Sequence, residues 1–213
     1  MTSAMPDAAA LLIDATIAMH AQGVPLMQRV VPAGDAVRFW DRYPDGGMMS
    51  PSSGASAFYH IHAPDARDLG EHGHFHLFLP RHALPATSAP LADRPAAEGQ
   101  GVAEAVHIAA LSIAVSGLPM GWFTVNRWVT DEAMYPADAV LAALDRFDLT
   151  DAPGDRLVNQ WLTAAVALAR PELDHLLHAR DRALPANASE DPSIEILSRL
   201  PFDLEAMINR GAV

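Results

Sequence analysis

The hydrophobic positions near the two ends of the chain follow a helical period. Near the N-terminus, apolar residues recur every three or four positions, which predicts a helix over residues 6–30 that ends or kinks near Gly23. A short helix over 35–43 is expected next, before the turn sequence YPDGG at 43–47. After residue 135 the helical period returns. The helices expected there cover residues 136–147, 154–170, 171–182 and 194–209.

The middle of the chain has the patterns of β-strands. Two segments rich in histidine and aromatic residues predict strands at 57–62 and 72–79. The apolar segment 105–115 is followed by the turn SGLPMG and by a second apolar segment at 122–130, which together predict a β-hairpin. We therefore expect one α+β domain over 1–213, with a four-stranded, mostly antiparallel sheet packed against the N- and C-terminal helices.

Five of the ten histidines fall on the first two predicted strands. Successive side chains of a strand point to opposite faces, so residues two apart share a face. His60 and His62 therefore share one face of the first strand. The second strand is expected to line up three histidines in the same way: His72, His74 and His76. If the two strands pair as a hairpin, up to five imidazoles and Glu71 share a small patch of the sheet.

Further candidate residues lie on the hairpin at 105–130. His107 is near the start of its first strand, where it could reach the same patch if this strand neighbours the second histidine strand. Alternation predicts that it shares a face with Ala109, Leu111, Ile113 and Val115. On the return strand, Asn126 could orient a ligand or substrate, and Arg127 could hold a carboxylate through two hydrogen bonds. The alternative for both is a purely structural role in the sheet and in a surface ion pair.

The composition restricts any metal site to nitrogen and oxygen ligands. The chain has no cysteine, which excludes disulfides, thiolate nucleophiles and iron–sulfur clusters. Its formal net charge of -12 at pH 7 repels phosphate backbones, so nucleic acid is not an expected partner. The N-terminal segment lacks the basic region of a signal peptide, and no apolar run has the length of a membrane span. We expect a cytoplasmic protein with no membrane partner, and its oligomeric state is left open.

Three strings of residues resemble those of a known family. HIH, EHGHFHLFLP and FTVNRWVT are similar to segments of a family of bacterial proteins that is described only as a domain of unknown function. The resemblance covers roughly residues 38–135. It implies that the histidine strands and the NRWVT segment belong to one domain type. It brings no established activity, so the roles of the residues have to come from their chemistry.

Histidines two apart on a strand have a spacing suited to metal ligands. Their Cα atoms lie about 6.5–7 Å apart, so both imidazoles can lean toward one ion with bonds of about 2.0–2.1 Å. The candidate ligands are His60, His62, His72, His74, His76 and His107. Glu71 or Asp65 could add a carboxylate. Three protein ligands would leave a position open, as a catalytic site requires, whereas four or five would favour storage or structure.

The expected cofactor is a transition metal ion. Two histidines with Glu71 would match the ligand types of a non-haem iron site, whereas an all-histidine set favours zinc or copper. Iron is our first choice, with zinc or copper as alternatives. The connection at 80–104 is rich in Pro and Ala and long enough to be a lid, a binding segment or a disordered region, and these options stay open.

The resulting hypothesis is a metalloenzyme that acts on a small organic substrate, with oxidative non-haem iron chemistry preferred. Its candidate catalytic residues are Glu71, Asn126 and Arg127. One alternative is a non-catalytic protein that binds a metal ion or haem. Another is a zinc-dependent hydrolase in which Glu71 is the general base. A third is a structural or partner-binding domain whose histidines only form hydrogen bonds.

Overall fold

The structure is a computed structural model that describes residues 7–31, 38–63, 68, 70–92, 104–184 and 191–211. The strands are β1 (Arg42–Met49), β2 (Ser56–His60), β3 (Glu71–Pro80), β4 (Ala105–Ala114), β5 (Pro119–Val125) and β6 (Ile196–Pro201). The helices are α1 (Ala8–Ala21), α2 (Arg127–Thr130), α3 (Ala137–Ala143), α4 (Arg156–Leu168), α5 (Arg170–Ala183) and α6 (Leu204–Gly211). Short 3-10 helices cover Leu26–Arg29, Arg81–Ala83 and Leu144–Arg146.

All of these strands form one antiparallel sheet in the order β1-β2-β3-β4-β5-β6. The mixture of helices and an antiparallel sheet agrees with the expected α+β class. The expected number of four strands is wrong, because the sheet has six. The four expected strands correspond to β2 through β5, and the two additional strands are added at the two edges.

Each additional strand carries a pattern that is misleading in the sequence alone. β1 contains the turn residues YPDGG, but Gly46 and Gly47 have φ values of 81° and 72° and form an irregularity inside the strand instead of a chain reversal. β1 thus takes the place of the end of the helix expected over 35–43. β6 takes the place of the first part of the helix expected over 194–209, and only its second part is helical.

The C-terminal helices lie close to their expected positions. α4 begins after Asp155, whose carboxylate accepts hydrogen bonds from the backbone N–H groups of Leu157 and Val158. α1 begins in the same way after Asp7, and it packs against α4. In the part of the chain that is described, no helix combines the length and the apolar character that a bilayer crossing needs.

The two faces of the sheet differ in what covers them. One face packs against α1, α4 and α5 and contributes its buried aromatic and aliphatic residues to the main core. Its central side chains are Tyr59, Phe75, Leu77, Leu111, Ile113 and Trp122. The opposite face carries a smaller apolar cluster around Ala110, Phe123 and Val125. The histidines of β3 that alternate with Phe75 and Leu77 lie on this second face.

Two β-bulges interrupt the alternation of side chains on β3 and β4. Across the first bulge, Glu71 pairs with Ala114 and Gly73 with Ile113, so His72 is an extra residue on β3. The second bulge lies on β4, where Leu77 pairs with Ala109 but the next residue of β3 pairs with His107. Each bulge shifts the residues beyond it to the other face of the sheet.

Gly73 lies tightly against the backbone of β2, and this contact gives a first test of the pairing of β2 with β3. A Cβ atom at this position would lie 2.3 Å from the backbone oxygen of His60 and 3.0 Å from the ring of Tyr59. Because that oxygen belongs to a paired strand, it cannot move away without loss of pairing. We expect Gly73→Ala to lower the free energy of unfolding by about 3 kcal/mol, as for severe overpacking, measured by urea denaturation.

Gly23→Ala is the matched control for this substitution. Gly23 has a φ of 66°, and a methyl group added there would meet no atom within 4 Å. Only backbone strain of about 1–2 kcal/mol is therefore expected at Gly23. A loss at Gly73 no larger than the loss at Gly23 would contradict the close approach of β2 and β3.

Candidate metal centre

Three histidines from β2 and β3 form the centre of the site. His60 ends β2 and lies directly opposite His74 of β3, and His76 follows on the same face. One ring nitrogen of each residue lies within 4.8 Å of the corresponding nitrogens of the other two. A tetrahedral ion with bonds of about 2.0–2.1 Å needs ligand nitrogens about 3.3 Å apart, so small rotations of the imidazoles would let them hold one ion.

Glu71 orients the ring of His74. Its Oε1 atom lies 3.1 Å from His74 Nδ1, and both side chains are buried. The hydroxyl of Ser112 donates a second hydrogen bond, of 2.7 Å, to the same carboxylate oxygen. Since an ionised carboxylate only accepts, His74 carries a proton on Nδ1, and Nε2 is the atom that could bind a metal ion. Histidines that bind a metal ion through one ring nitrogen usually donate the N–H of the other nitrogen to a carboxylate or a carbonyl oxygen.

His107 supports His76 in a similar way. The Nδ1 atom of His76 and the Nε2 atom of His107 lie 3.1 Å apart, so one of them donates to the other. When His76 is the donor, its Nε2 atom keeps a lone pair for a metal ion. His107 then acts behind the ligand and is not itself one of the three converging histidines.

His60 carries a buried ring nitrogen without a hydrogen-bond partner among the described residues. Its Nε2 atom is buried and makes no hydrogen bond within the described part of the chain. Burial of a polar nitrogen without a partner costs free energy, and such atoms are uncommon in folded proteins. A metal ion held together with His74 and His76 would give this nitrogen the partner that it lacks.

Burial holds His60 and His76 in the neutral form that can bind a metal ion. Burial, together with the charge of His74, lowers the pKa of His60 to about 3. Burial also lowers the pKa of His76 well below its ordinary value. Burial alone would raise the pKa of Glu71, but hydrogen bonds from His74 and Ser112 outweigh it and the pKa falls. Near neutral pH the site therefore combines the neutral imidazoles of His60 and His76 with the carboxylate of Glu71, which suits a cation.

Phenylalanine side chains flank the histidines on the same face of the sheet. Their ring centroids lie 5.0–5.2 Å from a histidine ring. These residues are Phe58, Phe78 and Phe123, and all three are buried. An apolar surround of this kind limits the access of water and lowers the local dielectric constant around a metal ion.

His62 and Trp40 form the exposed edge of the cluster. His62 follows β2, and its ring centroid lies 4.7 Å from that of His60 and 5.0 Å from that of His74. Trp40 stacks on the other side of His62 at 4.5 Å and is 59% exposed. Its backbone has a φ of 72°, in the left-handed region that side chains other than glycine seldom occupy.

The two β-bulges change the expected positions of His72 and His107. His72 shares the opposite face with Tyr59, whose hydroxyl lies 2.9 Å from its Nδ1 atom, so its expected place beside His74 is wrong. His107 lies opposite Phe78, and not on the face of Leu111 as expected. The structure therefore brings His107 into the cluster and takes His72 out of it. Asp65 lies outside the described residues.

Asn126 and Arg127 are not on a strand, because β5 ends at Val125. The side chain of Asn126 caps α2, and its amide group also donates to the backbone oxygen of Ile194. Arg127 is buried and forms an ion pair with Asp131. These contacts describe a structural role for the two residues. Their expected part in catalysis stays a prediction.

Sequence analysis missed several residues of the site. Ser112 is the one hydroxyl in the apolar strand β4, and this isolated polar position is a signal that could have identified it. Phe58 and Phe123 alternate in the same way as the site histidines, but phenylalanine in a strand predicts only burial. Trp40 gave no signal, because its position depends on the backbone turn before β1.

A family model described as "Domain of unknown function (DUF6969)" matches residues 6–202 of the chain. The chain belongs to this family. This agrees with the resemblance to an uncharacterised family, and it extends over nearly the whole sequence instead of residues 38–135 alone. Neither the curated proteins nor the solved structures contain a match to the chain.

The neutral buried histidines predict a pH dependence of folding in the absence of metal. Burial and the charge of Arg180 lower the pKa of His107 from 6.5 to about 3, whereas the unfolded chain protonates this histidine below about pH 6.5. The unfolded state therefore binds more protons, and the free energy of unfolding falls as the pH falls from about 6.5 toward 3. One such histidine contributes up to about 1.4 kcal/mol per pH unit.

We expect His107→Gln to reduce this slope, because glutamine keeps a polar side chain beside His76 but does not titrate. The measurement is urea denaturation at pH 7, 6 and 5 in the presence of EDTA. His175→Gln, at an exposed position of α5, is the matched control. A slope in His107→Gln equal to that of the unmodified protein would mean that His107 is not held neutral by the fold.

Proposed function

We propose that the protein is a metalloenzyme with a three-histidine centre that acts on a small organic substrate. His60, His74 and His76 would each supply one nitrogen to the ion. The observation that carries the proposal is the buried Nε2 atom of His60, which has no hydrogen-bond partner within the described residues. It lies beside two histidines whose Nδ1 atoms are already hydrogen-bonded and whose Nε2 atoms remain for a metal.

The ligand set favours zinc or copper over the iron that the sequence suggested as first choice. Glu71 is hydrogen-bonded to His74 and Ser112, so it supports a ligand and does not complete a set of two histidines and one carboxylate. An all-nitrogen set with an apolar surround suits Zn(II) or copper better than Fe(II). Metal identity is part of this proposal and is decided by elemental analysis of protein purified without added metal or chelator.

The arrangement supports catalysis because three protein ligands leave a coordination position open. A bound zinc ion would lower the pKa of a water molecule at that position, and copper would instead supply one-electron chemistry. Hydrogen bonds to Glu71 and His107 orient His74 and His76, so that only small rotations of the imidazoles are needed to bind an ion. The flanking phenylalanines keep the site dry, which strengthens electrostatic interactions with a substrate.

A second candidate function is metal binding without catalysis, and His62 is the residue that supports it. Its ring lies within 5.0 Å of the rings of both His60 and His74, measured between centroids. A rotation of this side chain would bring a fourth imidazole to the ion and close its coordination shell. A saturated shell of histidines is typical of structural or storage sites.

Replacement of any one of the three ligands should weaken metal binding strongly. We expect His60→Ala, His74→Ala and His76→Ala each to lower the affinity for Zn(II) by more than about 100-fold, because loss of a ligand exceeds the usual effect of losing a supporting residue. Competition with a chromogenic chelator measures the affinity. Circular dichroism on the same samples shows whether each variant is folded.

His175→Ala is the control, since His175 is exposed on α5 and lies outside the cluster. Unchanged affinity in all three cluster variants would mean that the metal binds elsewhere. No detectable binding of Zn(II) or copper by the unmodified protein would mean that it has no such site. Either result would contradict the proposal.

His62→Gln distinguishes the two candidate functions. If His62 is not a ligand, the variant retains the metal with an affinity within about threefold of the unmodified protein, as expected for an open site. If His62 is the fourth ligand, the variant loses affinity as strongly as the other three histidine variants. The enzyme proposal predicts the first result, and the second result would favour the binding protein.

A further inference from the structure

A small cleft opens beside the histidine cluster on the same face of the sheet. It has a volume of about 250 Å³. Its described lining residues are Asp68, Ser112, Met120, Gly121, Trp122, Phe123, Arg199, Leu200 and Pro201. Because a water molecule occupies about 30 Å³ of liquid, the cleft is large enough for a ligand of about eight non-hydrogen atoms.

Two lining residues connect this cleft directly to the metal centre. The hydroxyl of Ser112 donates a hydrogen bond to Glu71, which is also hydrogen-bonded to His74. The ring of Phe123 lies 5.0 Å from the ring of His74, edge to face. A molecule lying in the cleft against Ser112 and Phe123 would therefore have one end next to the candidate metal ligands.

Arg199 on β6 contributes a cationic group to the cleft. It lies opposite Phe123 in the pairing of β5 with β6, so its side chain is on the histidine face. Its guanidinium carbon lies 6.0 Å from the centroid of the Phe123 ring. Among the described residues that line the cleft, Arg199 is the one cation and Asp68 the one anion.

The ion pair with Asp68 indicates that Arg199 can bind a carboxylate. Its carboxylate pairs with the Nη1 atom of Arg199 across 131 residues of sequence. Both side chains are more than half exposed, at 54% and 56%. An exposed pair of this kind contributes little to stability, so another carboxylate can take the place of Asp68 at small cost. The planar guanidinium can bind such a carboxylate through two parallel hydrogen bonds.

We infer that Arg199 anchors the carboxylate of the substrate, and that the substrate class is a small organic carboxylate with an apolar body. The carboxylate would bind at Arg199, the apolar body would lie along Met120 and Phe123, and the far end would reach the metal centre. This inference rests on the proposed function, because it orients the substrate toward a metal ion. From the sequence, carboxylate binding is expected at Arg127, but Arg127 is buried and paired with Asp131.

The test uses hexanoate, which has eight non-hydrogen atoms, and hexanamide as its uncharged counterpart. Calorimetric titration of the zinc-loaded protein should give at least about tenfold tighter binding of hexanoate than of hexanamide. In Arg199→Gln, hexanoate should fall to the level of hexanamide while the zinc content stays unchanged. Arg146→Gln, at an exposed arginine outside the cleft, is the matched control and should bind hexanoate normally.

Asp68→Asn tests whether the carboxylates of Asp68 and hexanoate compete for Arg199, and an increase in affinity is expected. Removal of the competing carboxylate should tighten hexanoate binding by up to about fivefold, the range that an exposed ion pair contributes. A weaker affinity in this variant would overturn the inference. So would an affinity for hexanoate that is the same in Arg199→Gln as in the unmodified protein.

The orientation of bound hexanoate can be determined from its proton NMR signals in the presence of the copper-loaded protein. Paramagnetic broadening should be stronger for the terminal methyl protons of hexanoate than for the protons next to its carboxylate. The reverse order would mean that the carboxylate binds the metal, and would overturn the inference. If the protein takes up neither zinc nor copper, the proposed function fails. Loss of hexanoate binding in metal-free Arg199→Gln would then still support the carboxylate anchor by itself.

Discussion

The close pairing of β2 with β3, together with two β-bulges in the pairing of β3 with β4, decides which side chains meet on the histidine face. Gly73 allows the backbones to approach, so that His60 and His74 lie directly opposite each other. The bulge beside it turns Glu71 toward His74. The bulge on β4 turns His107 toward the same face. Without these two bulges, Glu71 would not contact His74 and His107 would not contact His76.

The electrostatic character of the site follows from that geometry. Rings that pack against each other and against phenylalanine lose contact with water, and burial disfavours the charged form of an imidazole. The lowered pKa values of His60, His76 and His107 keep these three rings uncharged near neutral pH, which reduces electrostatic repulsion within the cluster. An uncharged imidazole has a lone pair on one ring nitrogen. A hydrogen-bond donor or a cation can bind this lone pair, and one cation can bind several of them at once.

The parts of the site that depend on simple alternation were predictable from the sequence. That His74 and His76 share one face required only the two-residue period of a strand, and their meeting with His60 required in addition that the two strands pair. His72 and His107 could not be placed, because a bulge depends on how two strands pair and not on the residues of one strand. Likewise, β1 and β6 were missed because local turn and helix signals compete with pairing to a neighbouring strand, which is a tertiary effect.

The central claim is that one metal ion binds between His60, His74 and His76. The most direct test is an anomalous difference map from a crystal of the protein purified without chelator, recorded above and below the absorption edge of the metal found by elemental analysis. The account predicts one peak about 2.0–2.1 Å from a nitrogen of each of the three histidines. A metal-bearing crystal whose peak lies elsewhere, or an ordered but metal-free cluster in protein supplied with zinc and copper, would contradict it.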